Sequence, residues 1–233
     1  MSTISNQLQV LRERIRAACA AVGRSEVEVC LLAVSKTYGS EQVTAAFSAG
    51  QSSFGENYLQ EALKKMEQLR HLPLQWHCIG PIQSNKTRQV AENFDWVHTI
   101  DRFKIAQRLS QQRPKNLPPL QVCIQVNMDG GPNKSGVPPQ EAMDLAQAVA
   151  QLPGLQLRGL MSIPEPMPDF YAQLQRHGQT KALFDQLRAV AWPLSVRFDT
   201  LSMGMSDDLE AAIQAGSTLI RVGTAIFGAR SVA

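Results

Sequence analysis

The sequence predicts an α/β fold, a single (β/α)8 barrel preceded by one extra helix. Two observations carry this. Eight short apolar runs recur along the chain, each followed by a segment of, or compatible with, helical periodicity, which is the signature of a parallel sheet. The length, 233 residues, suits one barrel of eight such units. An open doubly wound sheet is the fold-level alternative.

The leading helix is expected over residues 2–22, where Ile4, Leu8, Leu11, Ile15, Cys19 and Val22 fall on one stripe at spacings of three and four. Ser2 or Thr3 is placed to cap it and Gly23 to end it. It precedes the first strand, so it should pack across the bottom or side of the barrel. The strands are expected near 29–35, 52–56, 76–80, 95–100, 120–127, 155–162, 196–202 and 218–222. Helical periodicity follows the first run at Val43, Ala46 and Phe47, and the fifth at Ala142, Leu145, Ala146 and Val149. The second run (Ser52 to Glu56) is short and poorly apolar. Residues 163–170 carry Pro164, Pro166 and Pro168 and read as a loop, as does the Gly/Pro-rich stretch 129–139. No linker or low-complexity tract interrupts the chain, so residues 1–233 are read as one domain.

Composition narrows the function classes. The net charge of +3 and the lack of a basic run with interleaved aromatics point away from nucleic acid. Cys19, Cys30, Cys78 and Cys123 form no C-x-x-C pair and are expected to be small buried hydrophobes in a reducing compartment. His71, His77, His98 and His177 lie at no metal-ligand spacing. Arg12, Arg14 and Arg16 interrupt any signal-peptide core, and no stretch approaches the roughly 20 apolar residues needed to cross a bilayer. A soluble cytoplasmic protein is expected.

In parallel barrels the functional groups sit at the carboxyl ends of the strands. The first strand ends Ala33-Val34-Ser35-Lys36-Thr37. A lysine at the rim of an apolar strand is partly desolvated, which lowers its pKa and supplies the neutral amine that a Schiff base with an aldehyde needs. The bland alternative is a snorkelling lysine. The last two strands end in Ser202, Met203, Gly204, Met205, Ser206 and in Gly223, Thr224. Loops in these positions often bind phosphate, with backbone N–H groups and hydroxyls such as those of Ser206 and Thr224 as donors; ordinary turns are the alternative. Asp207 and Asp208 would repel an anion and are expected to face away from it. Arg221 lies inside an apolar strand, where an arginine is costly unless paired. It is read either as a structural ion pair or as a cation beside a ligand ring nitrogen, which it would keep unprotonated. Asn57 could bond a ring hydroxyl or orient Lys36, and Ile82 and Met161 could wall a ring; each is read alternatively as an ordinary core or turn residue.

Several long motifs stand in a fixed order: A-V-S-K-T at 33–37, F-G-E-N-Y at 54–58, W-H-C-I-G-P-I-Q-S-N-K at 76–86, N-K-S-G at 133–136, G-L-M-S-I at 159–163, L-S-M-G-M-S-D-D at 201–208 and R-V-G-T-A-I-F-G at 221–228. In these the chain resembles the YggS/PROSC-type pyridoxal 5′-phosphate (PLP) homeostasis proteins, from about Val29 to Gly228. One departure is Cys78, where the family usually has Phe or Met, a packing change. The resemblance implies a fold type III PLP barrel like the N-terminal domain of alanine racemase, with PLP as a Schiff base on Lys36. It implies phosphate contacts at Ser206, Gly223 and Thr224 with the Met205 backbone nearby and Ser202 as a weaker candidate, and Arg221 facing the pyridine nitrogen. Asn57, Ile82 and Met161 map near the ring. The family has no established catalysis; its members are implicated in keeping free PLP low and distributing it.

A buffer or delivery protein for PLP is therefore the first expectation, with PLP-dependent apoenzymes as partners and a monomeric state. The alternatives are a PLP-dependent racemase or decarboxylase, and a regulatory module that reads PLP as a signal. Two-base racemisation needs a second acid, which in alanine racemase comes from a partner's β-rich domain; no such domain is expected after the eighth strand. Tyr38 and Tyr58 lie near strand ends but at no position that marks a catalytic acid. Lys134, in the loop after the fifth strand, reads as a solvated lysine or as a transient acceptor of PLP.

Overall fold

The computed structural model describes residues 3–131, 134–190, 192–193 and 196–228. Eight parallel strands close into a barrel in chain order: β1 (Cys30–Val34), β2 (Ser53–Glu56), β3 (Gln75–Cys78), β4 (Trp96–Ile100), β5 (Leu120–Val126), β6 (Leu155–Ser162), β7 (Thr200–Ser202) and β8 (Leu219–Val222). Closure is made by β1, which pairs with β2 on one side and with β8 on the other, Leu31 opposite Ile220 and Leu32 opposite Arg221. Each expected run coincides with a strand to within a few residues at its ends, β3 beginning one residue before its run, except the seventh, which is shorter. The helices are α1 (Ile4–Ala20), α2 (Ser40–Ser48), α3 (Leu59–Leu69), α4 (Thr87–Asn93), α5 (Phe103–Gln112), α6 (Ala142–Ala150), α7 (Phe170–Arg188), α8 (Leu209–Gln214) and α9 (Thr224–Phe227).

The second run is a strand as expected despite its composition, and the seventh is shorter than expected, each for a local reason. The poorly apolar second run is a strand because the barrel interior is crowded at Gly55: a Cβ there would lie 3.1 Å from both Ile79 and Leu32, so no larger side chain is needed to fill it. The seventh run shortens to three residues because the segment before it packs rather than pairs. Phe198 stacks on Trp192 at 5.4 Å and on Phe184 at 5.2 Å, and Asp199 N–H bonds the Arg158 carbonyl.

Helix α1 starts at the N-cap Thr3, whose hydroxyl accepts from Asn6 N–H at 3.3 Å; Ser2 lies outside the described residues. It ends where Gly23 takes φ +66° and Arg24 N–H returns to the Cys19 carbonyl, a glycine-terminated cap. Val22, beyond the last turn, is exposed, not on the buried stripe as expected. Leu8, Leu11, Ile15 and Cys19 are buried, each large apolar side chain contributing about 1.5–3 kcal/mol. The helix packs against α2, α8 and α9, so it lies in the outer layer beside the β8–β1 seam.

The main core lies between strands and helices, and a separate small cluster, Trp96, Cys123 and Met161, lies apart from it. Cys78 belongs to the outer core. Three cysteines are buried as expected, but Cys30 is exposed, because it opens β1 at the amino end of the barrel. Among the described residues no helix is long and apolar enough to cross a membrane.

Candidate functional site

A cavity of about 250 Å³ opens at the carboxyl ends of the strands. Lys36, Asn57, Met205, Ser206, Arg221, Gly223 and Thr224 line it together, drawn from the turns after β1, β2 and β7, from β8 and from the start of α9. Three other candidates do not line it. Ser202 and Met161, opposite one another in register on β7 and β6, lie deeper, and Ile82 is buried in the outer core. The apolar wall comes instead from Val34, Ile79 and Ile163. The difference is one step of strand alternation: Ile163 stands two residues beyond Met161, on the same face and nearer the mouth.

Lys36 sits in a tight turn. Tyr38 N–H donates to the Ser35 carbonyl at 3.1 Å, and Thr37, the third residue, has φ +71°. This is the type II pattern, which normally takes glycine at that place. The neighbouring peptide groups are held by charge. Lys65 of α3, its side chain 5% exposed, donates to the Ser35 carbonyl at 2.7 Å, to Glu56 at 2.5 Å and to Glu61 at 2.8 Å. Glu61 accepts from Thr37 N–H at 2.7 Å, and Glu56 from the Ser35 hydroxyl. Burial pushes the Glu56 carboxyl up, against the pull of Lys65 and Ser35, and its Oε2 is buried without a hydrogen-bond partner. Asn57 follows Glu56 directly and is pressed from the other side by Gly80, where a Cβ would come within 2.2 Å of the Asn57 carbonyl.

Arg221 is buried and fixed by hydrogen bonds: Nη1 donates to Ser202 Oγ at 2.8 Å and Nη2 to the Ser162 carbonyl at 2.9 Å. Among the described residues no carboxylate pairs with it directly; burial lowers its pKa to about 10, with Asp208 opposing. A chain continues from Ser202 to His98 Nδ1 (2.9 Å), from His98 Nε2 to His77 Nδ1 (2.9 Å), and from His77 Nε2 to Gln75 Oε1 (3.0 Å). Since β4 and β7 are not neighbours, the His98–Ser202 bond crosses the barrel interior. Gln75 Oε1 can only accept, so His77 Nε2 carries a proton, His77 Nδ1 accepts from His98 Nε2–H, and His98 Nδ1 accepts from the Ser202 hydroxyl, whose oxygen accepts from Arg221. Both imidazoles are then neutral with the proton on Nε2. Burial pushes His77 down to about 3, and His98 falls well below its usual value by burial, then by the charges of His77 and Arg221.

The turn carrying Met205 and Ser206 is anchored from outside. Asp208 accepts from Met205 N–H at 2.6 Å and from His177 Nε2 at 2.9 Å; burial raises this carboxyl, but the two hydrogen bonds outweigh it and leave it below its usual range. Arg14 of α1 donates to the Ser206 carbonyl and pairs with Glu210. Asp208 thus faces away from the cavity as expected. Asp207 does not: it rims the cavity, exposed to solvent, where water screens it.

Sequence reasoning missed Tyr38, Ile79, Ile163, Glu56, Glu61 and Lys65. Tyr38 lines the cavity, stacks on Phe227 at 4.8 Å and donates to the Gly228 carbonyl at 2.7 Å. A signal for Lys65 existed: it is in helical phase with the buried Ala62 and Leu69, where a lysine needs a partner. Lys134 is held by Asp129 at 2.6 Å and Glu165 at 3.0 Å, joining the loops after β5 and β6; its neighbour Asn133 in the N-K-S-G motif lies outside the described residues. The cavity's groups—an amine, a guanidinium, an amide and hydroxyls—suit a small ligand with an anionic end and a carbonyl.

The family model for the alanine racemase N-terminal domain matches residues 7–231. A pyridoxal phosphate homeostasis protein of Pseudomonas aeruginosa is 57% identical over 230 residues, covering 99% of this chain and 97% of that one. The solved structure of PipY from Synechococcus elongatus PCC7942 with PLP bound aligns with a TM-score of 0.84 and 34% identity, over 97% of this chain and all of the other. An alanine racemase from E. faecalis shares the fold at a TM-score of 0.70 and 19% identity, with 95% of this chain matching 58% of that one.

Proposed function

This chain belongs to the alanine racemase N-terminal domain family, and on that premise we propose that it is a PLP-binding protein of PLP homeostasis, which holds and releases the cofactor instead of catalysing with it. The observation that carries the reading is the convergence of Lys36, Arg221, Ser206, Gly223 and Thr224 on one cavity. That donor set fits PLP. Lys36 would attach its aldehyde as a Schiff base, the Ser206 and Thr224 hydroxyls with the Gly223 backbone would hold its phosphate, with Met205 nearby, its own N–H held by Asp208, and Arg221 would face its ring nitrogen, with Asn57 beside the ring. Ser202 acts one step back, through Arg221, whereas Met161 and Ile82 are core residues.

When bound, PLP supplies an electron sink for amino-acid carbanions, and its strength depends on a protonated ring nitrogen. A permanently charged guanidinium opposes that protonation by repulsion. The tyrosines near the strand ends do not supply a poised acid: the Tyr38 hydroxyl donates to the Gly228 carbonyl, and Tyr58 is exposed. Among the described residues, neither tyrosine is set to move a proton at a substrate carbon.

The finer reading is a monomer of one domain over residues 1–233, in the cytoplasm, passing PLP to PLP-dependent apoenzymes. The test is a PLP titration followed by borohydride reduction and peptide mass mapping. Label should fall on Lys36, and Lys36→Ala should lose both the label and the visible absorption of the bound cofactor. Label elsewhere in the wild type would overturn the assignment. Incubation with amino acids in deuterated water tests the enzyme alternative: deuterium entering at Cα would establish turnover.

A further inference from the structure

We propose that Lys65, with Glu56 and Glu61, is the positioning device for Lys36, a buried charged clamp that aims the amine and so sets how firmly PLP is held. The inference rests on the reading of Lys36 as the point of attachment. Lys36 has a peptide group on each side of its Cα. The one before it presents the Ser35 carbonyl, which accepts from the Lys65 ammonium; the one after it presents Thr37 N–H, which donates to Glu61. The same ammonium binds Glu61 and Glu56, and Glu56 returns to the Ser35 hydroxyl. Both peptide planes flanking Lys36 are therefore tied to one ion on α3, and the direction of its Cα–Cβ bond follows.

Two further features favour positioning over simple stabilisation. Thr37 is the only described non-glycine residue with positive φ, a conformation that costs a β-branched side chain strain and persists where surroundings over-determine it. And the clamp is a costly way to build a turn: two carboxylates share one buried ammonium, with Glu56 Oε2 left without a hydrogen-bond partner. A glycine at position 37 with an apolar residue at 65 would make a similar turn without burying charge.

The test separates attachment from binding. Dissociation constants are measured for PLP and for pyridoxine 5′-phosphate, which has the same ring and phosphate but no aldehyde, on the wild type, Lys36→Ala, Glu61→Ala and Lys65→Met/Glu56→Gln. Glu61 is a third exposed, so its removal spares the core; the double variant removes both buried charges together. Both clamp variants should bind PLP at least tenfold more weakly and release it faster, while pyridoxine 5′-phosphate affinity stays within twofold. Equal losses for both ligands, or no loss for PLP, would overturn the proposal, and Glu61→Ala decides it if the double variant does not fold. A wild type that binds PLP no more tightly than pyridoxine 5′-phosphate, and no more tightly than Lys36→Ala does, would sink the attachment at Lys36 itself, and this inference with it.

Discussion

The barrel interior should make this protein acid-labile through His77 and His98. Their protons are already committed in one direction along the chain from Arg221, so a further proton on either ring would place a donor against a donor in a space closed to water. In the folded protein His77 titrates near 3, whereas in the unfolded chain it titrates at about 6.5. Above about pH 6.5 neither state takes up the extra proton, and the stability is fully present. Between the two values only the unfolded chain binds it, so stability falls as pH falls, by about 1.4 kcal/mol per pH unit for each ring. From about pH 6.5 to about pH 5, His77 alone costs about 2 kcal/mol, and His98 adds to the loss in the same direction. That is a large share of the roughly 5–15 kcal/mol by which a domain is stable. Glu56 and Asp95, whose carboxyls are raised mainly by burial, act with the opposite sign at lower pH. The comparison is therefore made between wild type and His77→Gln, in which these contributions cancel. Urea unfolding across this interval should show the wild type losing about 2 kcal/mol more than the variant. Parallel pH profiles for the two proteins would refute the buried, neutral histidine pair.

Further outcomes follow from the same geometry. Ser206→Ala with Thr224→Ala should speed PLP release and weaken its binding, since each hydroxyl bond to a charged group is worth about 1.5–3 kcal/mol; stopped-flow release rates equal to wild type would exclude those hydroxyls as the phosphate cup. Gly80→Ala should destabilise by about 1–3 kcal/mol, because the new methyl meets the Asn57 carbonyl, and thermal unfolding measures it. Lys65→Met alone should cost about 3–5 kcal/mol by stranding Glu56 in the interior, and adding Glu56→Gln should recover much of this; a single variant as stable as wild type would show the ion to be dispensable for folding.

The barrel was legible because its signal is repetitive: eight apolar runs at regular intervals tolerate one weak member, and β2 was found despite its serines and glycine. A charge within or ending an apolar strand draws attention to Lys36 and Arg221, but alone it leaves a snorkelling lysine and a structural ion pair open; the small residues after the last two strands and the ordered motifs decide the reading. Ile163 was missed in favour of Met161 because a run of apolar residues does not say which turn of the alternation reaches the mouth. Lys65 was missed for a different reason. Its helix is amphipathic and it sits on the buried face, but its partners come from β1, β2 and its own helix, and only the closed sheet brings them together. Asp207 was misread because a charge near an anion site was assumed to avoid it, when exposure to water serves equally well.

Helix α1 has a consequence for how the molecule comes into being. It settles against α8 and α9, the last helices described, and through Arg14 it grips the turn that carries Ser206. During synthesis α1 must wait for α8 and α9 before it finds its seat, and β8, the strand that closes the ring with β1, arrives equally late. A chain made only as far as β6 thus carries Lys36 without the segments from β7 onward that line the same cavity.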